Sequence, residues 1–257
     1  MRTVDSPKGS PRPWRHPTSK GWQRMAHRRM RGAISGSLFA VSTLFLTSCG
    51  GGDAEPGLDP VALLGRASER MERLGSFAFV LEHENGTTAI GRGLQMVRAE
   101  GHVAGPEKMQ AQLQAMAGPV TLEVEVIVLP EGSWMTNPLT GQWATEGVNV
   151  SQLFDPATGI PALMREIPSA TLVGPESVGS AAAIRVEATV PSEMMARLVP
   201  QVARGRPVQL RAWIGADDPV LHRLEIVGAV QEGDPENLVR RLTFSEFDSN
   251  FTILPPN

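Results

Sequence analysis

The sequence predicts an α+β fold: a large antiparallel sheet that curves, joined by tight turns and accompanied by a few helices. Three observations predict it. Val120, Leu122, Val124, Val126 and Val128 alternate with Thr121, Glu123, Glu125, Ile127 and Leu129, the period of two that places one set of side chains on each face of a strand. Upstream, apolar residues recur at helical spacing over 60–74, between a capping acid and a glycine. Beyond residue 76, short apolar runs are separated by Gly, Pro and Asp turns, the pattern of a sheet built from successive hairpins.

The helix comes first. Asp59 can accept from the free amides of its first turn, and Pro60 suits the first helical position, where no amide is needed. Val61, Leu64, Met71 and Leu74 fall near one face, Arg66, Glu69, Arg70, Glu72 and Arg73 cover the others, and Gly75 is expected just past the end. Strands follow at 77–82, then, after a turn at Gly86, at 89–100, a weaker run that contains Gly91 and Gly93. Residues 109–115 alternate strictly, which favours a strand although their Met, Gln, Ala and Leu also form helices well. Gly118-Pro119 turns the chain into the strand 120–129, and 133–136 leads into a turn over 138–141. Short helices are expected at 160–167 and 192–199, the second capped by Ser192, and strands at 170–173, 183–190, 208–214, 220–227, 238–247 and 251–254.

Charge divides the chain near residue 49. Nine of its 24 Lys and Arg but one of its 27 Asp and Glu lie in residues 1–48, leaving 15 and 26 for residues 49–257: net charges of +8 and −11. An acidic body repels phosphate backbones and argues against nucleic acid as a partner. Residues 1–48 have the order of an export signal: a basic stretch ending at 27–31, then 14 mostly apolar residues at 33–46. That run is shorter than the roughly 20 residues a membrane-spanning helix needs. Met25 or Met30 could each serve as the start.

Leu46-Thr47-Ser48-Cys49-Gly50 then has the form of a lipobox, with small residues before a cysteine whose thiol takes a diacylglyceryl group. Cys49 is the only cysteine of the chain, so no intrachain disulfide can form. Each buried methylene of an attached palmitate-like chain contributes about 0.8 kcal/mol, so two or three chains hold a protein to its membrane. The eight residues 50–57 read as a flexible tether reaching on the order of 28 Å. The expected organisation is a signal region 1–48, a tether 49–57 and one domain 58–257, lipid-anchored outside the cytoplasm.

No catalytic chemistry is legible. His83, His102 and His222 have no metal-ligand spacing, and H-E-x-x-H, G-x-S-x-G and phosphate-loop patterns are missing. Glu123 and Glu125 share a face of their strand and read as its solvated side. Glu232, Asp234 and Glu236 lack the regular spacing of a calcium loop and read as a surface turn. The Asn-x-Ser/Thr triplets at Asn85, Asn149 and Asn250 are taken as chance beside a bacterial lipobox. No cofactor, metal site or catalytic residue is expected. Methionine is frequent at apolar positions (Met71, Met96, Met109, Met116, Met164, Met194 and Met195), which suits either a core or an adaptable apolar lining.

Several stretches resemble a known family. Residues 137–143 (Asn-Pro-Leu-Thr-Gly-Gln-Trp), Phe154-Asp155-Pro156 with Gly159, Trp213-Ile214 with Asp217, Arg223-Leu224-Glu225, and 242–247 with Ile253 and Pro255 are similar in order and spacing to the LppX/LprAFG lipoproteins. The chain departs from them in having no tyrosine and in carrying Pro219-Val220-Leu221 where the family tends to have Gly-Leu-Pro. The resemblance implies a strongly curved antiparallel half-barrel with a few helices on its concave side, similar to the carriers LolA and LolB. It also implies that the chain binds acyl chains of lipids or glycolipids in an apolar cavity and carries or presents them in the cell envelope, with or without a transport partner. For the cavity lining the sequence points to the inward series Val120, Leu122, Val124 and Val126, whose opposite face carries the two glutamates, with Leu163, Met164, Met194 and Leu198 of the later helices as the facing wall. The alternatives are a solid-cored lipoprotein that binds a protein partner and an enzyme whose site has no sequence signature.

Overall fold

The computed structural model describes residues 57–91, 93–145, 155 and 158–256. Cys49, the signal region and all of the tether but Gly57 lie outside the described residues, as does most of the 154–156 motif. Residues 53–257 form one compact unit.

Helix α1 (Pro60–Glu72) begins as its sequence dictates: the Asp59 carboxylate accepts from the Val61 amide at 2.9 Å. It buries Leu63, Leu64, Ala67, Ser68 and Met71, while Val61 is exposed. The helix ends at Arg73 in a right-handed conformation rather than at Gly75, whose amide instead donates to Asp248 Oδ1 at 2.8 Å. The Gly75 amide is thus satisfied from the far end of the fold, which no local pattern reports.

The chain then forms β1 (Ser76–Glu84), β2 (Thr88–Gly91), β3 (Leu94–Ala104), β4 (Met109–Ala117), β5 (Val120–Leu129), β6 (Gly132–Thr136) and β7 (Trp143–Thr145). After helix α2 (Ile160–Glu166) come β8 (Thr171–Val178), β9 (Ala181–Pro191), a 3-10 helix (Ser192–Arg197), β10 (Pro207–Gly215), β11 (Leu221–Val227) and β12 (Val239–Ser245). Four local expectations change. The run 89–100 is a hairpin rather than one strand, because Gly93 adopts φ 76° and reverses the chain. β7 was not expected; three residues are too few for a period to register. Ser192 caps nothing: its hydroxyl donates to the Ala203 carbonyl at 2.6 Å, clamping the next loop. Residues 251–254 form no strand; Ile253 instead packs on Ile127 and Leu129, and Phe251 lies 4.3 Å from the His102 ring.

All twelve strands join one antiparallel sheet in the order β7-β6-β5-β4-β3-β1-β12-β11-β10-β9-β8, with β2 added to β3. β1 and β12 form the seam. From it one meander runs outward through β3 to β7 and another through β11 to β8, so β7 and β8 stand at the two ends of an open sheet among the described residues. The β8 edge is blunted by Pro175 and by a bulge between Leu172 and Gly174. Further bulges at 96–98 and 213–214 bend the sheet. At Gly101 a Cβ would collide with the Gln110 carbonyl, so β3 and β4 approach too closely there for any side chain.

Register makes the sheet two-faced. One cross-strand row reads Val124, Leu113, Ala99, Leu81, Leu242, Leu224, Ala212, Val186, Leu172, apolar throughout. The adjacent row, pointing to the other face, reads Glu123, Gln114, Arg98, Glu82, Arg241, Glu225, Arg211, Glu187, with six charges of alternating sign from Arg98 to Glu187. Arg241 Nε donates to Glu225 at 2.7 Å, Arg211 lies 3.5 Å from the same carboxylate, and Arg98 pairs with Glu82. Such neighbours satisfy the convex face and penalise any one-residue slip, which would carry the whole charged row into the core.

Candidate functional site

The apolar row is the floor of the site, and the helices are its roof. α1 packs on β10, β11 and α2. Polar contacts at the margins fix it there. Ser68, buried within α1, donates to the Pro161 carbonyl at 2.8 Å and accepts from Arg165 at 2.9 Å. Arg70 pairs with Asp218 at 3.0 Å and Asp248 at 3.1 Å, joining the end of α1 to the β10–β11 turn and to the segment after β12. Arg197 reaches Glu166 at 2.8 Å and ties the 3-10 helix to α2.

Between roof and floor lies a small apolar cavity of about 10 Å³. Leu64, Leu163, Met164 and Ile167 line it from the helices, and Val186, Ala188, Leu210, Ala212 and Leu224 from β9, β10 and β11. Glu187 sits between two of these in the strand but turns its carboxylate to the convex face, where Gln209 donates to it at 3.2 Å. The lining offers no acid, base or nucleophile, so its chemistry is the exclusion of water from apolar surface. Its volume is that of a single water, against the roughly 300–1,000 Å³ of ligand pockets, so the space is almost closed.

Of the residues singled out from the sequence, Leu163 and Met164 line this cavity. Val124 and Val126 belong to the main core on β5, Leu122 is half-buried, and Val120, at the start of the strand, is 53% exposed. Met194 and Leu198 pack on the core from the 3-10 helix and the residue after it without reaching the cavity. The floor on β9–β11 was missed. Its signal was present in Val186, Ala188 and Val190 and in Leu210 and Ala212, which alternate as clearly as β5 does. Glu123 and Glu125 made β5 the more conspicuous strand; the helices selected the other wing.

Titratable groups elsewhere serve structure. Asp234 does not sit in an open calcium loop: its Oδ2 accepts from Arg240 at 2.7 Å and from the amides of Val230 and Gln231 at 2.9 and 2.8 Å. Among the described residues no cluster of His, Cys, Asp or Glu could hold a metal. Burial, and with it the charge of Arg240, holds the His83 imidazole below its ordinary pKa, and burial does the same for His222.

The family model LppX_LprAFG lipoprotein matches residues 59–253, which contain every element described above. The chain belongs to the LppX/LprAFG lipoproteins. Two solved members share the fold of this one. LprF from Mycobacterium bovis superposes with a TM-score of 0.61 at 18% identity, covering 77% of this chain and 96% of that one. LppX from Mycobacterium tuberculosis does so with a TM-score of 0.56 at 15% identity, covering 76% and 97%. The lipoarabinomannan carrier protein LprG of Mycolicibacterium smegmatis is 27% identical over 121 residues, 47% of this chain and 49% of the relative. This chain therefore spans about half the length of that curated relative. Among the described residues no helix is long and apolar enough to cross a membrane.

Proposed function

We propose that this LppX/LprAFG lipoprotein is held to the extracytoplasmic face of a membrane by lipid on Cys49, and that it binds acyl chains of lipids or glycolipids between its helices and its sheet. The observation that carries this reading is the apolar register row roofed by α1 and α2, in a family whose relative LprG is named a lipoarabinomannan carrier. No lining residue supplies acid–base or nucleophilic chemistry, which fits carriage rather than catalysis. A cavity of 10 Å³ holds no acyl chain, so loading requires the helical roof to lift. The roof is suited to that. α2 has seven residues, Leu163 and Met164 adapt by rotamer, and the polar links sit at its margins rather than beneath it. The family's envelope role and any transport partner belong to the same reading.

A second reading, a solid-cored lipoprotein that binds a protein partner, is favoured by the size of the closed cavity. Native mass spectrometry of the body, residues 53–257, incubated with palmitoyl lipids separates the two. The carrier reading expects stoichiometric lipid on wild type and its loss in Ala212→Leu, which adds bulk to the floor, with a cooperative melt of that variant separating lost binding from unfolding. Absence of bound lipid on wild type under all loading conditions refutes it and leaves the solid-cored reading. For the anchor, Cys49→Ala should move the full-length protein out of the detergent phase; equal partitioning of variant and wild type would refute lipidation.

A further inference from the structure

At the end of the concave face nearest the β2–β3 hairpin, the apolar floor gives way to a buried polar cluster. Arg240 is 3% exposed there, beside buried Thr88 and Gln231. Its Nε donates to Thr88 Oγ1 at 2.7 Å, and its Nη2 donates to Asp234 Oδ2 at 2.7 Å. His83 Nδ1 faces the Val97 carbonyl at 2.8 Å and so carries the ring hydrogen, while Nε2 meets Thr88 Oγ1 at 2.7 Å. The Gln231 amide accepts from the Ala89 amide at 3.0 Å and donates to the Ala89 and Pro200 carbonyls at 3.0 and 2.7 Å. One donor is left over. Arg240 Nη1 is buried and has no hydrogen-bond partner among the described residues. It lies on the flank of the guanidinium away from the edge that Nε and Nη2 share. Buried donors in native proteins nearly always have a partner, so an unanswered one marks the place of a ligand atom or a water.

Its position connects it to the cavity. Arg240 stands in register with Ile226, and Ile226 with Leu210, which lines the cavity. Two strand spacings of about 4.8 Å separate Arg240 from Leu210 on the same inward face. Along β12 it is two residues from Leu242, which neighbours the cavity residue Leu224 in the apolar row. A chain lying on the floor would therefore bring its polar end to this guanidinium. Charge selects the kind of polar end. Arg240 and Asp234 cancel, and burial keeps His83 neutral. A phosphate would add an unbalanced charge beside the Asp234 carboxylate in a low-dielectric site, whereas a neutral oxygen would not.

We propose that Arg240 Nη1 is the polar anchor of the carried lipid, donating to an uncharged oxygen of its head, either a sugar hydroxyl or a glycerol-ester carbonyl. This rests on the carrier reading above. The body, residues 53–257, holds the whole core and is the form to test. Displacement of a bound pyrenyl-hexadecane probe is measured with monoglucosyl dipalmitoylglycerol, dipalmitoylglycerol and dipalmitoyl phosphatidate, on wild type and on Arg240→Lys, which keeps a cation opposite Asp234. The expected result is an affinity loss of about tenfold in the variant for the oxygen-bearing neutral lipid, the scale of one hydrogen bond to a charged group, with unchanged affinity for the pyrenyl-hexadecane. Loss for the glucosyl lipid alone assigns the sugar hydroxyl, and equal loss for both neutral lipids assigns the ester. Unchanged affinity for both overturns the proposal and gives Nη1 to a water. Phosphatidate binding more tightly than either neutral lipid overturns the uncharged specification. Failure of wild type to bind even the pyrenyl-hexadecane overturns the carrier reading itself. If Arg240→Lys does not fold, the guanidinium resonances of ¹⁵N-arginine-labelled wild type give the answer: Arg240 should shift on addition of a neutral lipid and not on addition of pyrenyl-hexadecane, and the absence of that difference overturns the proposal.

Discussion

On the C-terminal wing, Val186, Leu210, Ala212 and Leu224 point inward beneath α1 and α2 and are almost wholly buried; on the N-terminal wing, Met96, Leu113 and Leu122 also point inward yet remain half-exposed. Both wings are antiparallel meanders with the same alternation, and both continue the same register rows across the seam of β1 and β12. The difference is in what covers them. Helix α1 packs on β10 and β11, so a similar strand pattern is buried throughout on that side, while on the other Val124 and Val126 are buried and Met96, Leu113 and Leu122 are only partly so. Amphipathic alternation identifies a face that water should leave; it does not say what replaces the water. In the reading proposed above, a lipid taken up beneath the roof would have the inward face of the N-terminal wing as its natural extension.

The sharpest way to break the comparison is to truncate matched side chains. Leu210→Ala and Leu224→Ala remove buried packing under the roof and should each cost about 2–5 kcal/mol in urea unfolding. Leu113→Ala and Leu122→Ala remove half-buried groups and should cost about 1 kcal/mol or less. Equal losses on the two wings would mean that the N-terminal wing is covered in solution as fully as the other.

The charged row offers a second comparison at smaller energy. Glu225, with 6% of its side chain exposed, lies between Arg211 and Arg241, so Glu225→Ala should cost about 1–2 kcal/mol by removing the buried carboxylate they share, while Glu84 still meets Arg241 and Glu187 and Gln209 still meet Arg211. Glu100, half-exposed on the N-terminal wing, meets Arg98 at 2.9 Å, and Glu100→Ala should cost under about 0.5 kcal/mol. Thermal melts in 0.05 and 0.5 M salt would sharpen this: the Glu100 effect should vanish at high salt while most of the Glu225 effect persists.

The smallest expected effect is a pH dependence. His83 at the seam and His222 in the covered wing both have pKa values held below the ordinary imidazole value, so between the two the unfolded chain binds more protons than the folded one. Stability should therefore be complete at pH 7.5, begin to fall near about pH 6.5 and level off once the folded rings protonate. Urea midpoints at pH 7.5, 6.5 and 5.5 check the sign, and His222→Gln should make the slope shallower. A midpoint that rises on acidification would contradict the burial of both rings.

Much of this molecule is determined by local pattern alone. Asp59 and Pro60 start α1 because they meet the needs of a helix's first turn, and β4 and β5 alternate because a pleated strand puts every second residue in the core. The acidic balance of residues 49–257 is likewise written in residue order. Only the tertiary structure decided the rest. Gly75 does not end its helix: the chain leaves the helix at Arg73, and the Gly75 amide goes to Asp248, 173 residues away. Ser192 is not a cap, because Pro191 takes the N-cap position and the Ser192 hydroxyl turns to the next loop, donating to the Ala203 carbonyl and accepting from the Arg206 amide. The cavity described above is floored by β9–β11 because α1 and α2 lie over these strands among several that are equally amphipathic. The buried cluster around Arg240 joins β1, β2, β12 and the loop at 230–234, which only the closing of β12 onto β1 brings together. Periodicity is a property of neighbours in the chain, whereas coverage, hydrogen bonds made across the fold and buried charges depend on which distant segments meet.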